Sequence, residues 1–231
     1  MTLADAARHA FELLIGGDAQ LWGIIWISLR VSCLAMLAAT PFAVALGFML
    51  ATLTFPGRRL LIVALQTMLA LPTVVVGLLL YLILSRQGPL GEWHWLFTQE
   101  AMILGQAVLA FPILAAMTLS AVQGVDRRAA ETAKTLGANP MQAVWTVLVE
   151  ARFAVLAAIA TGFGRVLSEI GCAMMVGGNI AGVTRNITTA IALETSKGEF
   201  AQGIALGVVL VILALAINFV MAFFQGKGLS R

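Results

Sequence analysis

Four stretches of this chain, Val31 to Gly57, Leu60 to Ser85, Ala101 to Val125 and Phe200 to Gly226, contain no Asp, Glu, Lys or Arg. Each exceeds the roughly 20 residues that a helix rising about 1.5 Å per residue needs to cross a hydrocarbon layer about 30 Å thick. A fifth stretch, Phe153 to about Val176, is as apolar except for Arg165 and Glu169. A bilayer offers no water to unpaired backbone groups, so such stretches fold as helices. The expectation is an all-α membrane protein with five transmembrane helices. The composition agrees: 61% of the 231 residues are hydrophobic, 11% are charged, and mean hydropathy is +0.98.

Several classes of chemistry are disfavoured by what the sequence lacks. Cys33 and Cys172 sit in apolar surroundings and are too few for a disulfide framework or a four-thiolate zinc site. His9 and His94 lie far apart, and neither an HExxH pattern nor a GxxxxGK[ST] phosphate loop occurs. No catalytic residue and no metal site is therefore assigned, and the chain is not expected to be an enzyme. The net charge of +3 does not point to nucleic acid, because the basic residues mostly border apolar runs, where they orient helices.

Cytoplasmic loops collect Lys and Arg. Placing Arg127, Arg128 and Lys134 inside also places Arg58, Arg59, Arg152, Lys227 and Arg231 there, eight against the five outside: Arg8, Arg30, Arg86, Arg185 and Lys197. The N-terminus is then outside and the C-terminus cytoplasmic. Trp93 and Trp95 in the outer loop, and Trp22 and Trp26 near the first span, suit the headgroup level. Residues 1–20 read as a surface helix or tail, with Leu3 to Ile15 lying along the membrane, residues 21–226 as one transmembrane domain, and 227–231 as a cytoplasmic tail.

The segment 126–150, between the third and fourth spans, predicts two short helices joined by a sharp turn. Asp126 caps the first helix, Gly137 takes the left-handed position after its end, Asn139 caps the second, and Pro140 fills its first turn. Ala130, Ala133, Leu136, Met141 and Val144 make this elbow more apolar than a solvated loop, which implies a protein partner. In the fourth span, Arg165 and Glu169 are four residues apart and share one helix face. Near the middle of the membrane they are costly in lipid, so they face the bundle interior or a water-filled cavity, as a path, a gate or a packing ion pair. The loop that follows is rich in Gly, Asn and Thr and carries Arg185; its N–H groups and hydroxyls suit weak guidance of an oxyanion. Gly177, Gly178 and Gly182 also read simply as turn residues.

The elbow resembles the signature of ABC importer permeases: EAA, three residues, Gly, nine residues, then I-x-L-P. Glu131, Thr132 and Ala133 stand at the family spacing from Gly137, and Val147 and Val149 replace Ile and Leu. Thr132 in place of alanine and Glu150 in place of the final proline are departures. The segment from Arg165 is similar to the pattern R-x-x-x-E-x-G, G-G-N, G-x-T of permeases for molybdate, tungstate and sulfate, matched by Arg165, Glu169, Gly171, Gly178, Asn179, Gly182 and Thr184. The resemblance spans roughly residues 25 to 225 and looks most like tungstate permeases.

That resemblance implies a type I importer arrangement in which Glu131, Thr132, Ala133, Gly137, Asn139, Pro140 and Met141 form a coupling helix against an ATP-binding subunit. Arg165, Glu169, Asn179, Thr184 and Arg185 would line the translocation path or its gate. It further implies a homodimer with the route at its twofold axis, two ATP-binding subunits that carry ATP and Mg on the cytoplasmic side, and an external oxyanion-binding protein. No cofactor is expected in this chain itself. The second reading is a stand-alone secondary transporter or channel that uses the Arg165/Glu169 pair.

Overall fold

A computed structural model describes residues 16–126, 132 and 135–225. Within them the chain forms α1 (Ala19–Thr52), α2 (Arg58–Ala70), α3 (Thr73–Leu84), a 3-10 turn (Gly91–Trp93), α4 (Gln99–Gln123), α5 (Pro140–Leu167), α6 (Gly171–Gly177), α7 (Ile187–Ser196) and α8 (Phe200–Gln225). No strand occurs among the described residues. Helices α1, α4, α5 and α8 are each long and apolar enough to cross a membrane. The pair α2 and α3 qualifies as a fifth crossing when taken together, although it is bent by 100°.

Helix α4 is the centre of the bundle, touching α1, α2, α3, α5 and α6. Its contact with α1 depends on Gly47, where an added Cβ would lie 2.5 Å from the Ala115 carbonyl oxygen and 2.7 Å from Thr118 Cβ. Small residues at such a crossing let two backbones approach closely, which is the main source of helix association in lipid. Around that contact, Met36, Ala39, Ala43, Leu50, Leu114 and Leu119 are buried together. Helices α7 and α8 close the other flank, where Leu21, Ile24, Ile187, Ala205 and Val209 form a separate core. The outward faces carry Leu37, Phe42, Leu215 and Phe219, as a lipid-facing surface requires.

Three boundaries differ from expectation. The first span begins at Ala19 rather than Val31, capped by Asp18, whose carboxylate accepts from Leu21 N at 2.7 Å. Arg30 lies on an exposed face of this helix and does not interrupt it. The second span breaks at Leu71 and Pro72, which both adopt extended ψ of 130°. A residue preceding proline is pushed out of the helical region, and proline itself has no N–H to continue the ladder. Pro41 and Pro112, by contrast, lie inside unbroken helices.

The second helix of the elbow is not short. It is the start of α5, which runs through Glu150 and ends at Leu167, where the fourth span was expected to continue to about Val176. Glu150, standing where the importer signature has proline, keeps the N–H that an uninterrupted helix requires. Arg165 consequently occupies the last turn of this helix. The surface helix expected over Leu3 to Ile15 and the tail 227–231 lie outside the described residues.

Gly47→Leu drives a side chain into the α4 backbone. Overpacking of this kind costs about 1–3 kcal/mol. We expect a lower unfolding temperature in detergent, with the exposed Gly23→Leu close to wild type; equal stability of the two variants would show that the α1/α4 contact is loose.

Candidate functional site

Two regions gather the residues that the sequence singled out. The first is the elbow before α5. Gly137 has φ +89°, and an added Cβ would meet nothing within 4 Å, so the backbone conformation alone demands glycine there. Asn139 accepts from Gln142 N at 2.9 Å while Gln142 Oε1 accepts from Asn139 N at 2.8 Å, a reciprocal capping box with Pro140 in the first turn. The Thr132 carbonyl accepts from Leu136 N at 3.1 Å and from Thr135 Oγ1 at 2.8 Å. Leu136 is 83% exposed and Trp145 is 65% exposed, with Val144 exposed beside them. Glu131 and Ala133 lie outside the described residues, as does the side chain of Met141.

The second region is the break between α5 and α6. Arg165 Nη1 donates to Glu169 Oε2 at 2.9 Å, so the pair expected from the spacing forms. Its members differ in setting: the Arg165 side chain is 47% exposed and that of Glu169 only 3%. Glu169 lies just beyond the helix end, and its other oxygen accepts from Cys172 N at 3.2 Å, capping α6. Its carbonyl accepts from Thr188 Oγ1 at 2.8 Å. Thr188 belongs to a buried polar knot that the sequence reading missed: Asn186 caps α7 through Thr189 N at 2.9 Å, and Ile187 N donates to Ser28 Oγ of α1 at 2.8 Å. The pattern Asn186-x-x-Thr189 ahead of an apolar run was the available signal.

The remaining path residues are split from that pair by the length of α6. Asn179 adopts φ +52°, and its Oδ1 is buried without a hydrogen-bond partner. Thr184 is fully buried; it donates to the Gly177 carbonyl and accepts from Ile180 N at 2.9 Å, so it stitches the loop shut. Both of those bonds are local to the loop. Arg185 lines a cavity of about 180 Å³ between α1, α7 and α8, together with Asp18 and Glu194, and its Nε is buried and unpartnered. Arg165 and Glu169 line a different and smaller notch with Gln106, a buried residue of α4 that the sequence reading did not single out. Among the described residues, no group of three His, Cys, Asp or Glu side chains is placed to hold a metal ion.

Residues 43–227 match the family described as "Binding-protein-dependent transport system inner membrane component". The chain is 41% identical over 216 residues to the tungstate uptake system permease protein TupB of Campylobacter jejuni, covering 94% of this chain and 90% of the relative. It is 38% identical to the TupB protein of Peptoclostridium acidaminophilum, covering 96% and 98%. The molybdenum transport system permease protein ModB of Escherichia coli is 34% identical over 188 residues, 77% of this chain and 82% of that one. Among solved structures, the MetNI methionine ABC transporter in an inward-facing form superposes with a TM-score of 0.74 at 19% identity, covering 93% of this chain and all of that one. A bacterial alginate ABC transporter gives 0.73 at 18% identity, covering 95% and 83%. The likeness in structure is one of fold: the helices have the arrangement of type I ABC importer permeases.

Removing one partner of a buried ion pair strands the other. Arg165→Ala leaves the carboxylate of Glu169 with only the Cys172 N–H. Because Arg165 is half exposed, we expect a loss of about 1–3 kcal/mol, less than for a fully buried pair. Arg165→Ala/Glu169→Gln should recover part of it. Thermal unfolding in detergent measures both, and a single variant as stable as wild type would show the pair to be dispensable for folding.

Proposed function

This chain belongs to the family of binding-protein-dependent transport system inner membrane components, and on that premise we propose that it is the membrane-spanning subunit of an ATP-driven importer for a tetrahedral oxyanion, tungstate first and molybdate or sulfate next. The observation that carries the substrate class is the match to tungstate permeases along almost the whole chain. A stand-alone secondary transporter is not favoured, since members of this family are components of systems that depend on a binding protein.

In this reading, ATP and Mg are bound by two separate nucleotide-binding subunits, and an external protein delivers the anion. The elbow at Gly137 is the coupling element. Its support is physical: a turn fixed by a left-handed glycine and a capping box presents Leu136, Val144 and Trp145 to a partner, and apolar side chains so exposed outside a bilayer call for one. The motif assigns Glu131, Thr132, Ala133, Pro140 and Met141 to the same coupling role. The elbow faces the cytoplasm, which leaves the N-terminus outside and the C-terminus inside. Two copies of the chain enclose the route at a twofold axis, because five crossings are too few to surround a path alone.

Within each copy, the Arg165/Glu169 pair belongs to the gate, with Asn179 and Arg185 on the outer approach and Thr184 holding that loop in shape. Closure of the nucleotide subunits pushes the elbows together and turns the bundle from inward-open to outward-open. The half-exposed guanidinium of Arg165 meets the anion, while Glu169, already engaged by Arg165 and by Cys172 N, keeps the charge balance near neutral. Weak attraction suits a conduit that must release what it admits.

Two measurements check this reading. In a strain lacking the chain, its return should restore tungstate uptake, measured by elemental analysis, above molybdate and sulfate supplied at equal concentration; no gain for any of the three would refute the substrate class. Gly137→Val places a β-branched residue in the left-handed region at a cost of about 1–2 kcal/mol. Co-purification of the ATPase should then fall by roughly five- to thirtyfold. Undiminished co-purification would remove the elbow from the coupling role.

A further inference from the structure

Two helix breaks meet back to back inside this bundle. One is the bend at Leu71 and Pro72; the other is the gap from Ser168 to Ile170. They touch directly: a Cβ on Gly171 would lie 2.7 Å from Thr73 Oγ1 and 2.8 Å from Val74 Cγ2. Between them opens a notch of about 40 Å³, lined by Leu71, Thr73, Gln106, Pro112, Arg165 and Glu169 among others. At about 10–15 Å³ per water, that is room for roughly three waters, the scale of a small anion.

Gln106 is the unexplained group of this lining. It is only 2% exposed, in the middle of the central helix, and its Oε1 has no hydrogen-bond partner. A buried amide left unpaired costs about 1–3 kcal/mol, so a residue of this kind inside an apolar bundle calls for a ligand. The other end of the amide, Nε2, is not sealed off in this way and carries two N–H donors. The notch then offers the amide of Gln106, the hydroxyl of Thr73 and the remaining N–H groups of Arg165, beside the start of α3, where the first backbone N–H groups have no partner within the helix. All of these are donors. Glu169 contributes the only carboxylate to the lining, and both of its oxygens are already engaged.

We propose that this notch is a transient seat for the transported oxyanion, with Gln106, Thr73 and Arg165 as its donors. The proposal deepens the reading of the chain as an oxyanion permease and rests on it. A tetrahedral anion offers only acceptors, directed to four corners, and so fits a site of convergent donors from α3, α4 and α5. Because Glu169 offsets Arg165, the seat holds the anion by hydrogen bonds more than by net charge, and releases it readily.

The test uses the permease assembled with its ATPase in proteoliposomes. Cys33→Ser and Cys172→Ala remove both native thiols, and Gln106→Cys or Thr73→Cys places one in the notch. Labelling by an anionic thiosulfonate is compared with labelling by a cationic one, each normalised to its rate with a free thiol in water. We expect the anionic reagent to react about tenfold faster and tungstate at millimolar concentration to slow it severalfold. Absence of labelling, preference for the cation, or indifference to tungstate would overturn the seat.

A second measurement leaves the native thiols in place. Gln106→Leu keeps the volume and deletes the amide, and tungstate uptake per folded transporter should fall about tenfold. Uptake equal to wild type would likewise overturn the proposal. Wild-type uptake separates the two levels: if wild type imports tungstate while the notch tests fail, only the seat is lost, and if wild type imports none of the three oxyanions, the functional reading itself is wrong.

Discussion

A chain that breaks its helices inside an apolar layer must satisfy every backbone group it frees, and in this protein that duty converges on Glu169. One carboxylate oxygen accepts from Arg165 of α5, the other from the Cys172 N–H in the first turn of α6, and its carbonyl accepts from Thr188 of α7. Thr188 is in turn part of the knot in which Asn186 caps α7 and Ser28 of α1 takes the next N–H. Four helices are thereby tied through one short stretch of irregular backbone. Such backbone is tolerated at membrane depth only where protein or a water-filled cavity surrounds it, and here packed protein surrounds it apart from the small notch between the two breaks.

Much of this was legible in the residues. The apolar stretches marked the spans, because only length and the absence of charge are needed for a crossing. The elbow was legible because its signals are local: Gly137, Asn139 and Pro140 each act on the backbone within a turn of themselves, and the Asn139 cap and the left-handed glycine stand where they were expected. The spacing of Arg165 and Glu169 was sufficient to pair them, even though Glu169 lies past the helix end. All of these depend on neighbours close in sequence.

What stayed hidden depends on partners far away along the chain. Pro41, Pro72 and Pro112 look alike in the sequence, yet only Pro72 ends a helix. The difference lies in what packs there, since Gly171 leaves space for Thr73 against the second break. Ser28 looked like one more small residue in a span, and its role appears only when α7 is laid beside it. Gln106 gave no signal at all, because an isolated amide in an apolar run has no periodicity to betray it. Thr184 matched the oxyanion-permease pattern, and its hydroxyl is spent inside its own loop, so a motif position here records a turn held shut.

The continuity of α5 has a mechanical meaning. From Pro140 to Leu167 its 28 residues extend about 42 Å without a break, with the elbow at one end and Arg165 in the last turn of the other. Hydrogen-bonded at every turn, such a rod resists bending, so the proposed coupling surface and the proposed gate are two ends of one rigid beam. A tilt of about 5° around its midpoint carries each tip close to 2 Å in opposite directions, enough to make or break a hydrogen bond. No relay of intermediate side chains is required: distance along this helix is transmitted as displacement, and the pivot is set by wherever α4 holds it.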